Sequence, residues 1–323
     1  DGITWSDPAL LNPTDPGLNT DYNPNISTNG QGRWIASWES KESIGSNGSD
    51  SDVVYVVSDD NGLTWSEAKS INHYATSDVA SDINIDIGND GGNNWLAIWI
   101  SAHDLDLRSG TDFDIFASRS NDNGETWTDA YILNSYGFSD TGNDRSPGIA
   151  MDNNGNAIVI WSSYDSFDST IGTDGDIIAA YSVDYGQSWS NATVINTHAE
   201  IDGNAADERA SVAMDNYGNA VVVYQSQYDL ENNVAADRDI HEVHSTDFGA
   251  SWSNSQLLNS GGMDDSEHDW YPRIVTDNQG SWVTTWTETK PYSATSEDGG
   301  FTWSDRRNLG EGSFYENCTV VIH

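Results

Sequence analysis

Four short acidic pairs recur along the chain, Asp50-x-Asp52, Asp112-x-Asp114, Asp174-x-Asp176 and Asp237-x-Asp239. Carboxylate oxygens are hard donors that suit Ca2+, and alternate residues of an extended segment project the same way, so one pair can offer two ligands. Aspartates at the start of a strand also cap neighbouring backbone N–H groups, and the sequence leaves both roles open. Ca2+ is the one cofactor these residues suggest. Cys318 is the lone cysteine, which excludes an intrachain disulfide and a thiolate cluster. Neither a glycine-rich phosphate loop nor a Gly-x-Ser-x-Gly elbow is present, so no organic cofactor is expected. His241 and His244, three apart on a predicted strand, point to opposite faces and read as ordinary histidines.

A second chemistry lies in the aromatic residues between the regular segments. Tyr136, Phe138, Tyr164, Phe167, Tyr228, Trp270 and Tyr271 offer apolar faces that can stack on sugar rings beside carboxylates that bond hydroxyls, or else pack between loops. Trp270, Tyr271, Arg273, Tyr164 and Tyr228 are the candidate ligand-binding set, for a glycan or a protein.

The elements that must position these residues repeat. Ser-x-Asp-x-Gly-x-Ser/Thr-Trp is written five times, at Ser58 to Trp65, Ser120 to Trp127, Ser182 to Trp189, Ser245 to Trp252 and Ser296 to Trp303, and Asp1 to Trp5 is a shortened sixth copy. A fixed period of about sixty residues marks stacked units, each too small to bury its apolar face alone. Within a unit, an opening aspartate (Asp21, Asp82, Asp144, Asp207 or Asp269) precedes two short apolar runs separated by a turn. The second run contains Trp38, Trp99, Trp161, Tyr224 or Trp286. A variable loop, the Asp-x-Asp strand, the motif turn and a last short strand follow.

Four antiparallel strands per unit predict an all-β, six-bladed β-propeller forming one domain over residues 1–323. The blades fall at about 21–72, 82–134, 144–196, 207–259 and 269–310, with the sixth shared by 311–323 and 1–12. That last blade is short of two strands, for which truncation is the first explanation, and a neighbouring molecule completing it is the alternative, a route to self-assembly. In blade five a tight connection over 287–295 replaces the long loop, leaving a gap in the rim near Trp270, Tyr271 and Arg273.

Composition narrows the function classes. With 12 Lys plus Arg against 52 Asp plus Glu, the net charge of -40 repels nucleic acid and anionic membrane surfaces. No apolar run is long enough to cross a membrane. The 14 Trp and 14 Tyr supply the apolar area that a 36% hydrophobic content otherwise limits.

The repeated motif resembles the Asp-box, or bacterial neuraminidase repeat, and the chain over residues 1 to about 310 looks like the sialidase-like six-bladed propellers. That resemblance implies Asp-boxes on the face away from the functional site, and it covers enzymes and non-enzymes alike. It also implies, for an exo-sialidase, three arginines on a carboxylate, a Tyr-Glu pair and an aspartic acid/base. Arg145, Arg209 and Arg273 are the candidate triad, Tyr271 or Tyr315 with Glu208 or Glu316 the pair, and Asp82 the acid/base. Arg145-Ser146-Pro147 is similar to the family's Arg-Ile-Pro element, which the family places in its first blade, where this chain has Tyr22-Asn23-Pro24. By strand alternation Arg145 should face opposite to Arg209 and Arg273.

The expectation is therefore a secreted or cell-surface, non-catalytic recognition or scaffold propeller, calcium-stabilised. A sialidase-type glycoside hydrolase and a subunit of a surface filament are the alternatives. Four Asn-x-Ser/Thr sequons, at Asn25, Asn47, Asn191 and Asn317, accord with an extracellular location.

Overall fold

The computed structural model describes residues 7–11, 20–41, 44, 50–75, 79–105, 112–134, 141–167, 171–228, 230, 237–258 and 267–310. They form five four-stranded antiparallel sheets and, among the described residues, no α-helix. The first sheet holds β1 (Asp21–Thr28), β2 (Trp34–Ser40), β3 (Asp52–Ser58) and β4 (Lys69–Ser70). The second holds β5 (Asp82–Asn89), β6 (Trp95–Ser101), β7 (Asp114–Ser120) and β8 (Tyr131–Ile132). In the third are β9 (Asp144–Met151), β10 (Ala157–Ser163), β11 (Asp176–Ser182) and β12 (Thr193–Val194). The fourth comprises β13 (Asp207–Met214), β14 (Ala220–Ser226), β15 (Asp239–Ser245) and β16 (Gln256–Leu257), and the fifth β17 (Trp270–Thr276), β18 (Trp282–Thr287), β19 (Pro291–Ser296) and β20 (Arg307–Asn308).

Strand order within each sheet follows the chain, and the first strands neighbour one another in sequence, β1 against β5, β5 against β9, β9 against β13 and β13 against β17. The second strands are apolar without alternation, as in Trp95-Leu96-Ala97-Ile98-Trp99-Ile100, because each sheet is covered on both faces by its neighbours. Apolar layers between successive blades make up the core. Ile35, Val53 and Tyr55 of the first sheet meet Ile85, Trp99 and Phe116 of the second, and Ile98, Ile115 and Ala117 of the second meet Val159, Trp161 and Ile178 of the third. The sixth blade is not among these sheets, since residues 1–6, 12–19 and 311–323 lie outside the described residues. Residues 7–11, expected as part of its last strand, form no strand, although Leu11 packs on the cluster of Ala36, Trp38, Val54 and Val56.

Register sets the two ends of each blade. Asp21 pairs with Ser40 and Ser40 with Asp52, so the opening aspartate and the Asp-x-Asp strand share one end, while Trp34 opposite Ser58 puts the motif turn at the other. Each motif turn closes on itself: the Ser58 hydroxyl donates to Asp60 at 2.9 Å and accepts from Gly62 N–H, and Asp60 accepts from the Thr64 N–H and hydroxyl at 2.8 and 2.7 Å. The Thr64 bonds hold Asp60 below the usual carboxylate range. Asp122, Asp184, Asp247 and Asp298 repeat this pattern.

At the opposite end the junctions are tied by the backbone. Asp82, Asp144, Asp207 and Asp269 donate their N–H groups to the carbonyls of Ser51, Phe113, Gly175 and Arg238, each at 2.7 Å, and each acceptor is the middle residue of the preceding blade's Asp-x-Asp. Two residues into each blade the innermost strand carries a bulge at a positive-φ residue, Asn23, Asn84, Ser146, Arg209 or Tyr271, with φ between 48° and 56°. Strand alternation therefore does not hold there, and the expected opposition of Arg145 to Arg209 and Arg273 lapses with it.

The motif glycines also seal the junctions. Gly124, Gly186, Gly249 and Gly300 all have positive φ, and each lies against the second residue of the preceding second strand or its equivalent: Ile35, Leu96, Ile158 and Val221. A Cβ on Gly124 would stand 2.5 Å from Ile35 Cδ1, whereas one on Gly62 would meet nothing nearer than Trp65 at 3.7 Å. Gly62→Ala should cost about 1–2 kcal/mol of unfolding free energy for the left-handed backbone, and Gly124→Ala a further ~1–3 kcal/mol for the clash. Urea denaturation of the two variants side by side checks the difference.

Candidate functional site

On the end of the blades away from the Asp-boxes, one network of cations and rings runs across the third, fourth and fifth sheets. Tyr164, just past β10, gives its hydroxyl to Glu208, the second residue of β13. Arg145, at the start of β9, lies over the Tyr164 ring at 5.2 Å. Arg238, just before β15, reaches Glu208 Oε2 at 3.9 Å and lies 4.6 Å from the centre of the Trp270 ring. Trp270 touches Tyr271, ring centres 6.3 Å apart, and Arg209 sits 4.5 Å over Tyr271. Guanidinium groups over ring faces combine charge with stacking, and each remains able to donate to an anion. Arg145 and Arg209 are exposed, and Tyr164, Glu208, Arg238, Trp270 and Tyr271 are half-buried.

Arg273 extends the network inward. Burial lowers its pKa, Asp86 opposes that shift, and the nearby Arg209 charge adds to it. Asp86 accepts from Asn25 Nδ2 at 2.7 Å and from Ile149 N–H at 3.1 Å, so it ties the first strands of three successive blades together, and burial raises its pKa against those bonds. The Tyr164 phenol is pushed up to about 12, first by burial and then by its bond to Glu208. At neutral pH it is a hydrogen-bond donor to Glu208.

The Asp-x-Asp residues form a separate, buried set at the blade junctions. Asn72 Nδ2 donates to Asp52 at 2.8 Å and to Asp82 at 2.5 Å, Asn134 bridges Asp114 and Asp144 at 2.9 and 2.8 Å, and Asn196 bridges Asp176 and Asp207 at 2.7 and 2.5 Å. The side chains of Asp52, Asp114 and Asp176 thus accept from an asparagine of the same blade. Asp50, Asp112 and Asp174 keep buried oxygens without a hydrogen-bond donor. Asp237 and Asp239 occupy the same place between the fourth and fifth sheets. Burial raises Asp176 to about 8, opposed by Asn196 and helped by Asp207, Asp174 and Asp202, and burial with Asp207 and Asp174 raises Asp202 to about 7. Asp82, the sequence's candidate acid, is fully buried and accepts from Asn72, Tyr74 and Trp99, which makes it a structural acceptor.

Of the residues singled out by sequence, Arg145, Arg209, Arg273, Tyr164, Glu208, Trp270 and Tyr271 come together. Tyr228 does not join them; it stacks on His198 at 4.6 Å over the junction of the third and fourth sheets. Of the expected pairings of Tyr271 or Tyr315 with Glu208 or Glu316, the described residues show Glu208 accepting from Tyr164 and Tyr271 lying under Arg209. Tyr315, Glu316, Tyr136 and Phe138 lie outside the described residues. His241 is buried among His198 and Tyr224, and His244 faces Phe301, so the two do point apart. Arg238, Asp86, His198 and the bridging asparagines were missed. Ile71-Asn72, Leu133-Asn134 and Ile195-Asn196 recur at the blade period, and that recurrence was the available signal.

No family model matches the chain, and no curated protein does. Among solved structures it is similar to the Hadza microbial sialidase Hz136, with TM-score 0.54 and 16% identity over 91% of this chain and 59% of that one. It is similar also to the intramolecular trans-sialidase from Ruminococcus gnavus in complex with oseltamivir carboxylate, with TM-score 0.57 and 13% identity over 91% and 86% of the two chains. The chain has a sialidase-like β-propeller fold. A protein of unknown function from Dyadobacter fermentans shares this fold at TM-score 0.56 and 14% identity, over 91% of this chain and 85% of that one. The propeller spans 59% of the length of Hz136 and 61% of the NanB sialidase from Streptococcus pneumoniae. At such identities the likeness carries the architecture alone.

Burial and then the neighbouring His198 lower the pKa of His241 to about 3, so the folded state holds it neutral while the unfolded chain takes up a proton below about pH 6.5. Its contribution to stability is present above that pH and is lost as the pH falls toward 3, by up to about 1.4 kcal/mol per pH unit. Urea melts of wild type and His241→Leu at pH 7, 6 and 5 should show wild type losing about 2 kcal/mol more than the variant over that range.

Proposed function

We propose that this sialidase-like propeller is a secreted or cell-surface recognition module that binds a carboxylate-bearing glycan on the end opposite its Asp-boxes, without turning it over. The single observation that carries the reading is the gathering of Arg145, Arg209, Arg238 and Arg273 with Tyr164, Trp270 and Tyr271 in a chain whose net charge is -40. Guanidinium forks match carboxylates, and ring faces match the apolar faces of sugars, so the two chemistries together select an acidic sugar over a neutral one. In this reading the Tyr164 phenol, pushed up to about 12, stays protonated as a hydrogen-bond donor to Glu208. In this reading one domain of six blades closes on itself, with the sixth shared by the two ends of the chain.

Sialidase-type hydrolysis is the second reading, and the Tyr164–Glu208 bond beside Arg145 and Arg238 is the observation that favours it. Titration with 3′-sialyllactose and with lactose, alongside a fluorogenic sialoside assay, separates the two. Binding of the sialylated sugar alone, weakened roughly 10- to 100-fold by Arg209→Ala or Arg273→Ala, with no release of fluorophore, is the expected result. Fluorophore release that Glu208→Gln abolishes would replace recognition with hydrolysis, and equal affinity for the two sugars would remove the carboxylate from the reading.

A further inference from the structure

The junction between the third and fourth sheets departs from the first. Between the first and second, Asp82 Oδ2 accepts from Asn72, and Oδ1 accepts from the Tyr74 hydroxyl at 3.0 Å and from Trp99 Nε1 at 2.9 Å. Between the third and fourth, Tyr224 stands in the place of Trp99 and spends its hydroxyl on Ser255 at 2.8 Å. His198 stands in the place of Tyr74 and reaches the other oxygen, Asp207 Oδ2, at 2.8 Å. Asp207 Oδ1 is left fully buried with no hydrogen-bond donor.

It is not alone. Asp176 Oδ2 and both oxygens of Asp174 are likewise buried without a donor. So are both oxygens of Asp202, whose side chain is 1% exposed. Asp202 is brought back over His198 by a turn in which the N–H groups of Ile201 and Asp202 donate to the His198 carbonyl at 2.8 and 3.1 Å. One ligand atom from each of His198, Asp202 and Asp207 lies within 4.8 Å of the others. Gly172, at φ +84°, leaves room beside Asp174, because a Cβ there would stand 2.6 Å from its Oδ1.

Buried carboxylate oxygens without donors are costly unless a proton or a cation compensates them. Asp174, Asp176, Asp202 and Asp207 feel one another's charge, Asn196 bridges Asp176 to Asp207, and together they offer an oxygen-rich donor set with no sulfur, which suits a hard cation of flexible coordination. We propose that Asp174, Asp176, Asp202 and Asp207 bind one Ca2+ between the third and fourth blades, with Asn196 and His198 holding Asp176 and Asp207 in place. Asp207 immediately precedes Glu208 and Arg209, so the ion fixes the backbone that presents two members of the arginine–aromatic network. The sequence repeats the fourth aspartate ahead of the earlier junctions, as Asp78 and Asp140, which lie outside the described residues.

The test is a calcium count on the full chain, stripped with EDTA and then equilibrated with micromolar free Ca2+. Asp174→Asn and Asp202→Asn should each bind one ion fewer than wild type, and the double variant should lose no second ion, because both remove the same site. In wild type, Ca2+ should raise the melting temperature of the stripped protein where equimolar Mg2+ does not. A wild-type chain that binds no calcium, single variants that keep the full count, or a double variant that loses two ions would each overturn the site. The wild-type count stands without the variants, so a variant that fails to fold leaves the proposal open to refutation.

Discussion

The structure depends on one repeated interaction, the 2.7 Å bond from the N–H of each blade-opening aspartate to the carbonyl inside the preceding Asp-x-Asp. It fixes where one sheet ends and the next begins, and it brings two acidic stretches, far apart in the chain, into a single buried place. An asparagine amide, with two N–H donors and two carboxylates to serve, then bridges them across the seam. The apolar layers behind the seam supply most of the burial, but they are tolerant of sliding. Directional bonds at the seam give each layer a single register.

Two electrostatic regimes meet at that end of the molecule. Behind the seam lie carboxylates that burial pushes toward neutrality, and in front of it lie guanidinium groups seated on rings. Asp207 and Arg209 are two residues apart and belong to different regimes. The bulge at Arg209, with its positive φ, permits this, since a regular strand would place the side chains of alternate residues on one side. A protein with strong overall negative charge can in this way gather guanidinium groups at one place although Glu208 and Asp86 lie among them.

The architecture was legible because the box motif is a sequence record of a turn: serine, aspartate and the following serine or threonine bond through their side chains, and glycine supplies the positive φ. The opening aspartates and the Asp-x-Asp pairs were legible for the same reason. The bulge was not, because Asn23, Asn84, Ser146, Arg209 and Tyr271 share a backbone conformation and no side-chain chemistry; the junction imposes it on whatever residue stands there. The Tyr164–Glu208 pairing was also hidden, since it joins two blades across 44 residues and follows from the packing of loops. Arg238 was hidden because it is the middle residue of an Asp-x-Asp pair, a position held by Ser51, Phe113 and Gly175 in the other blades.

The seam also separates two units that a reader of the repeat would treat as one. A sheet begins at its opening aspartate, but the N–H of Asp82, Asp144 and Asp207 and one carboxylate oxygen of each are bonded to the blade before. What is copied along the sequence is therefore a sheet, whereas what is closed is the boundary between two. Gain or loss of a whole repeat would leave the other boundaries with their own pairs of partners, so the sheets can be added in whole units, while no single sheet taken alone carries both sides of a boundary.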